Sequence, residues 1–316
     1  MELRKKNIEI SIDWLSFTMK HPDPTTVIQL LGLSDMPWAH AKGRNGYRNS
    51  LRFLDVVICY DGQPGMGVWC ELSGKGCRAF ETLSQVGWDS LLQRLLRSDI
   101  HITRLDVAGD DRVGILSMRR LVLDAQHGNY ISRLRGCRIY QDREKGHLTG
   151  TTVYFGKGTS RVQIRIYDKA AEQHLPGNTH WVRCELQLRD DRAFRFLAIA
   201  TESNIGETYS GVLANYLRFV TPSKSDTNKS RQSVCPYWRR FLGEAERVSV
   251  YFPPGLDYTE AQCINYVVNQ AGNAIAALID IYGVDQLVSM LGRRTIRPNP
   301  KYAQLVEKHR LIEKEE

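Results

Sequence analysis

Between Asn7 and Met19 the chain reads NIEISIDWLSFTM, which sets Ile8, Ile10, Ile12 and Trp14 on one side of a strand and Glu9, Ser11 and Asp13 on the other. Such alternation predicts a half-buried strand. SLRFLDVVICYDG and GVWCELSGKGC follow as a strand pair across Gly-Pro-Gly punctuation. RAFETLSQVGWDSLLQRLLRS then changes to apolar positions three and four apart, the period of a helix. HITRLDVAGDD returns to strand and SMRRLVLDAQHG to helix; CRIYQ, TTVYFGK, RVQIRIYDK and WVRCELQLR are four further strands, and AFRFLAIAT opens another helix. Strands outnumber helices and mostly follow one another. The expected fold is therefore α+β, with a central antiparallel sheet and helices packed on one face.

Residues 221–234, TPSKSDTNKSRQSV, are polar and rich in Ser and Lys, as a linker or exposed loop would be. They divide the chain into an expected first domain, 1–222, and a region 223–316 of linker followed by helices. Thr259 and Glu260 open a long helical pattern whose apolar face includes Ile264, Val267, Val268, Ala271, Ile275 and Leu278. VDQLVSML forms a second, shorter helix that ends at Gly292, and the basic tail RRTIRPNPK follows.

Parity places the candidate chemistry, because alternate residues of a strand share a face. In RVQIRIYDK the apolar set is Val162, Ile164 and Ile166, so Arg161, Gln163, Arg165, Tyr167 and Lys169 face the other way. In TRLDVAGD the same argument groups Arg104, Asp106 and Asp110; in WVRCELQLR it groups Arg183, Glu185, Gln187 and Arg189. If the three strands are neighbours, one polar patch holds a tyrosine, carboxylates from two strands and several arginines. Carboxylates suit Mg²⁺ or Mn²⁺, which polarise a phosphoryl oxygen, and arginines suit phosphate. A tyrosine of pKa near 10 is only roughly 0.1% phenolate at neutral pH, and cations and a metal nearby are expected to raise that fraction. The set reads as phosphodiester cleavage by tyrosine. An ordinary solvated sheet face has the same residue types, and parity alone leaves that alternative open.

Composition narrows the partner. The 316 residues carry 43 Lys and Arg against 35 Asp and Glu, a net charge of +8 that favours an anionic partner such as nucleic acid or a membrane surface. Seven cysteines, with no CxxC spacing, predict neither a disulfide framework nor a zinc site. The N-terminus has no apolar signal core and no stretch approaches ~18 apolar residues, so a cytoplasmic protein without membrane contact is expected.

ITRLDVAGDD, GTTVYFGKGTSRVQIRIYDKAAEQ and WVRCELQLRDDRA resemble, in order and spacing, the signature segments of the replication initiation factor (Rep_trans) family. DWLSFT and YWRRFLG are similar to its opening strand and a late segment, so the resemblance spans roughly residues 8 to 245. The family comprises rolling-circle plasmid and phage initiators and relaxases of integrative conjugative elements. The resemblance implies a Rep/relaxase-like saddle and an enzyme that nicks one DNA strand at a replication origin or origin of transfer. Tyr167 would attack the phosphodiester, keep the 5′ phosphate and release a 3′ hydroxyl. The family's acidic positions fall on Asp106 and Glu185 as metal ligands. Asp110 shares their face as a further candidate. Arg165 and Lys169 would hold the scissile phosphate, and Glu172 reads as a structural charge. Arg104, Arg161, Arg183 and Arg189, with Arg293, Arg294 and Arg297 of the tail, are the candidate DNA contacts. A homodimer and a host helicase partner are further family expectations. Where family members often carry serine after the YFG turn, this chain has Lys157, Gly158 and Thr159.

GTTVYFGKG is not a P-loop, because five residues separate Gly150 from Gly156 and Gly158 stands where Ser or Thr should be. No two histidines flank one apolar residue, so the two-histidine nicking enzymes are not matched. His101 reads as a strand-start residue, with a third metal ligand as its alternative. Trp38, Tyr47, Tyr60, Trp69 and Trp88 read as core or rim before base-stacking residues. The competing function is a non-catalytic, sequence-specific DNA-binding regulator on the same fold.

Overall fold

The computed structural model describes residues 4–5, 8–20, 23–223, 228–243, 247–250 and 267–292. The chain divides into two compact units, Met1–Tyr251 and Phe252–Glu316.

The first unit is built on strands β1 (Arg4–Lys5), β2 (Ile8–Met19), β3 (Ala39–Lys42), β4 (Asn49–Phe53), β5 (Val56–Tyr60), β6 (Val68–Leu72) and β7 (Ile100–Asp111). Next come the short β8 (Tyr130–Ser132), then β9 (Cys137–Glu144), β10 (His147–Phe155), β11 (Val162–Asp168), β12 (Val182–Arg189) and β13 (Leu217–Phe219). Eleven of them make one sheet in the order β3-β4-β5-β6-β2-β7-β12-β11-β10-β9, with β1 beside β2; β8 and β13 pair separately. Every pairing is antiparallel. The expected α+β architecture is what the chain adopts.

Alternate positions of the central strands bury one face. Leu15 and Phe17 of β2, Leu105 and Val107 of β7, Cys184 and Leu186 of β12, and Ile164 and Ile166 of β11 are all sealed from solvent. Helices α1 (Pro24–Leu30), α2 (Gly74–Leu83) and α3 (Trp88–Arg94) add Val27, Phe80 and Leu91 to that core. After α4 (Met118–Gln126) and α5 (Lys169–Glu172), helices α6 (Asp191–Glu202) and α7 (Ile205–Tyr216) add Phe196, Leu197 and Val212. Each such side chain contributes about 1.5–3 kcal/mol on burial. The single helix expected over 78–98 is two, α2 and α3. Ser84 causes the break, since its hydroxyl accepts from Val86 N–H at 2.8 Å and donates to the Leu31 carbonyl at 2.6 Å.

β2 departs from simple alternation. Its register against β7 shifts between Ile12 and Trp14, a bulge that takes up Asp13 and aligns Trp14 with Asp106. Trp14 therefore lies on the polar side, against the sequence expectation, while Leu15, Phe17 and Met19 take over the core positions.

The first unit also outruns the expected boundary at residue 222. Val220 bridges Val234, and α8 (Pro236–Leu242) buries Trp238, Phe241 and Leu242. In the second unit a π-helical turn, Val267–Ala271, leads into α9 (Gly272–Tyr282) and α10 (Val284–Gly292). Val268 and Leu278, expected on a buried face, are exposed. Thr259, Glu260, Ile264 and the basic tail lie outside the described residues. Among the described residues no single helix is long and apolar enough to cross a membrane.

Candidate active site

Strand pairing brings the three predicted segments side by side in the order β7, β12, β11. Arg165 stands opposite Glu185, Tyr167 opposite Arg183, and Gln187 opposite both Gln163 and Asp106. Opposed residues of an antiparallel pair share a face, so Tyr167, Glu185 and Asp106 project on the same side of the sheet, away from the helix-lined core.

These groups are sheltered. Glu185 is 0% and Asp106 1% exposed, and Tyr167 is 7% exposed. The Tyr167 hydroxyl donates to Glu185 Oε1, and the Arg165 guanidinium donates to Glu185 Oε2. Arg104 holds Asp106 through two parallel hydrogen bonds and lies 4.2 Å over the Trp14 ring. Arg165 and the Lys169 ammonium lie 5.7 and 5.6 Å from the centre of the Tyr167 ring, and Lys169 also pairs with Glu172.

Burial pushes the Glu185 carboxyl above the usual range; Arg165 opposes the shift and the charge of Asp13 adds to it. Burial raises Asp106 as well, against the pull of Arg104 and Arg165 and with a further push from Asp13. For Tyr167, burial and then the Glu185 carboxylate drive the phenol well above its ordinary value. The neighbouring side-chain cations do not on their own favour phenolate: Arg183 lowers the phenol, but burial and Glu185 outweigh it, and the Tyr167 hydroxyl donates to Glu185.

Other expectations also change. Asp110 accepts from Arg183 twice and from the Trp181 indole, all at 2.7 Å, so it holds those two side chains in place. Arg183 is 7% exposed and also bonds Asp13 at 2.8 Å, so it is a buried tie between two carboxylates and does not present itself to a duplex. Arg104 faces its own carboxylate, Arg161 pairs with Asp191 while largely exposed, and Arg189 lies beside Gln187. His101 pairs with Asp190 at 3.3 Å. Arg293, Arg294 and Arg297 lie outside the described residues.

Among the described residues no three His, Cys, Asp or Glu side chains stand close enough to chelate an ion. Asp106 and Glu185, raised by burial and further by the charge of Asp13, nonetheless fit a hard divalent ion that keeps several waters, since Mg²⁺ often uses only one or two carboxylates. Two buried polar atoms on the same face, Ser11 Oγ opposite Ala108 and Trp14 Nε1 opposite Asp106, have no hydrogen-bond partner. They are the vacant valences such hydration would meet.

Sequence reasoning missed Asp13, Trp14, Trp181 and Tyr154. The phase change was visible for the first two: apolar residues fall on even numbers through Ile12 and on odd numbers from Leu15.

Residues 100–291 match the replication initiation factor family. The chain belongs to that family. Residues 9–94 match the N-terminal domain of rolling-circle replication initiation proteins. A Bacillus subtilis (strain 168) protein named "Putative DNA relaxase NicK" is 27% identical over 315 residues, covering 95% of this chain and 87% of that protein. A solved rolling-circle replication initiator from Geobacillus stearothermophilus is similar with a TM-score of 0.72 and 31% identity, over 78% of this chain and 100% of the other. The replication initiation factor match spans β7, β11 and β12, and the N-terminal-domain match spans most of β2, so the two together cover the strands on which these side chains stand.

Proposed function

We propose that this family member nicks and rejoins one strand of DNA at an origin of replication or transfer, with Tyr167 as nucleophile. The observation that carries the reading is the Tyr167 hydroxyl held on the Glu185 carboxylate, on the same face as Asp106. Tyr167 Oη attacks the phosphorus while its proton passes to Glu185 Oε1. The new Tyr–phosphate bond holds the 5′ phosphate as the bond to the 3′ oxygen breaks, and that oxygen leaves with a proton taken from solvent. Religation reverses the exchange. Arg165 and Lys169, against the Tyr167 ring, supply positive charge where the phosphate gains negative charge. Asp106 and Glu185 would hold Mg²⁺ or Mn²⁺, which when bound would supply Lewis-acid charge to the phosphate oxygens. Asp13, tied by Arg183, fixes the field around both.

Arg161, Arg189 and the tail residues Arg293, Arg294 and Arg297 would contact phosphate backbone. A homodimer, a host helicase partner and a cytoplasmic location go with the same reading. The first unit, Met1–Tyr251, would hold the chemistry and the second, Phe252–Glu316, would assist binding.

The test is a supercoiled plasmid carrying the protein's own gene and flanking DNA, incubated with the protein and Mg²⁺. Wild type should yield nicked circles with protein on the 5′ end, and Tyr167→Phe should yield none. Site-specific binding without nicking by wild type would replace this reading with the regulator.

A further inference from the structure

Beside Tyr167 the sheet opens into a cavity of about 420 Å³, within the range of small-ligand sites. Its walls come from four elements: Tyr154 and the Thr149–Thr152 strand of β10, Asp142 and Glu144 of β9, Arg165 and Tyr167 of β11, and Glu172 of α5. The pairing explains why they converge. Thr152 stands opposite Tyr167 and Tyr154 opposite Arg165, while Thr152 and Tyr154 in turn face Tyr140 and Arg138 of β9. Tyr140, exposed, braces Tyr154 edge to face at 5.4 Å and 87°.

The charge of this cavity is wrong for a phosphate. Asp142, Glu144, Asp168 and Glu172 line it away from the edge formed by Tyr167 and Arg165, where the scissile phosphate would sit. A phosphate entering it would meet carboxylates at close range. An aromatic wall with carboxylate acceptors suits a different part of a nucleic acid, the base. Rings stack on tyrosine regardless of sequence, and carboxylates accept from exocyclic amino groups such as cytosine N4.

We propose that the cavity walled by Tyr154, Asp142, Glu144 and Glu172 is a nucleobase pocket that takes one unpaired, amino-bearing base of the strand whose phosphate meets Tyr167. The inference rests on the DNA-nicking reading and extends it to sequence preference. Unpairing is part of the arrangement, because a base stacked in a duplex has both faces covered and cannot stack on Tyr154. Thymine, whose exocyclic oxygens are both acceptors, is the disfavoured base. Gly150 keeps the floor open: a Cβ there would come within 3.3 Å of Asp142 Oδ2.

The experiment measures fluorescence anisotropy of labelled oligo(dA), oligo(dC) and oligo(dT) with the full-length protein at one salt concentration. Oligo(dA) and oligo(dC) should bind roughly five-fold or more tighter than oligo(dT). Tyr154→Ala should weaken all three roughly ten-fold. Asp142→Asn, a change at an exposed hairpin position that the fold tolerates, should erase most of the preference against oligo(dT), because an amide also donates to a thymine carbonyl. Equal binding of the three oligonucleotides, unchanged by Asp142→Asn, would overturn the pocket and leave the nicking reading intact. No binding of any oligonucleotide would overturn both.

Discussion

Two carboxylate–arginine units lie one pleat apart on the same sheet face, and they serve different ends. Asp110 receives three donors, two from Arg183 and one from Trp181, and Arg183 in turn secures Asp13. Glu185 is more deeply buried and likewise receives three contacts, two from Arg165 and one from the Tyr167 phenol, while burial and Asp13 hold its pKa up. A carboxylate saturated by fixed donors stiffens a fold. One left with a raised pKa beside a proton donor is poised for chemistry. The contrast teaches that neither burial nor donor count is itself a mark of function; a donor able to give up its proton, beside a carboxyl of raised pKa, is.

Substitutions should separate the two. Glu185→Gln removes the proton acceptor and should reduce nicking on the order of 10²–10⁴-fold, measured as initial rate on supercoiled origin DNA. A rate within two-fold of wild type would move the proton elsewhere. Asp110→Ala strands the buried Arg183 charge and should cost about 3–5 kcal/mol in urea unfolding. If Asp110→Ala kept its stability yet lost nicking, the two units would have been assigned the wrong way round.

pH sharpens the same contrast. Because the Glu185 carboxyl is raised above its reference of 4.5, the acid limb of the nicking rate should lie above pH 4.5, with activity rising as the carboxyl ionises. Its effect on stability has the opposite sign. A folded pKa above the unfolded one gives stability that is complete below the unfolded value and is lost as pH rises through the folded value. Wild type should therefore lose more stability than Glu185→Gln across that window, followed by thermal unfolding at a series of pH values. Parallel pH curves for the two proteins would contradict the raised pKa.

The smallest effect belongs to Ser11. Its hydroxyl is buried without a partner, so Ser11→Ala should stabilise the metal-free protein by about 1 kcal/mol and weaken the activation by Mg²⁺. A loss of metal-free stability would show that the hydroxyl is already satisfied.

Much of this arrangement was legible because a regular strand repeats every two residues. Parity in β7, β11 and β12 put Asp106, Tyr167 and Glu185 on one face, and the antiparallel order made them neighbours. Parity cannot report a bulge, which is why Trp14 changed sides and Asp13 joined the site. Nor can it say which arginine serves which acid: Arg104, Arg165 and Arg183 read as phosphate ligands, whereas each holds a carboxylate. The effect on Tyr167 follows from that pairing, since burial and the nearest carboxylate outweigh more distant cations. The first unit extends past 222 because three apolar side chains in PYWRRFL, Trp238, Phe241 and Leu242, dock in the core behind a polar stretch.

The most direct measurement is the chemical identity of the protein–DNA link. Nicking should be quenched in denaturant, the DNA digested to a short remnant, and the adducted peptide sequenced by mass spectrometry. The account predicts a single nucleotide remnant joined through its 5′ phosphate to Tyr167 of the IYDK peptide. A remnant on another residue, or nicked circles with no protein attached, would contradict it.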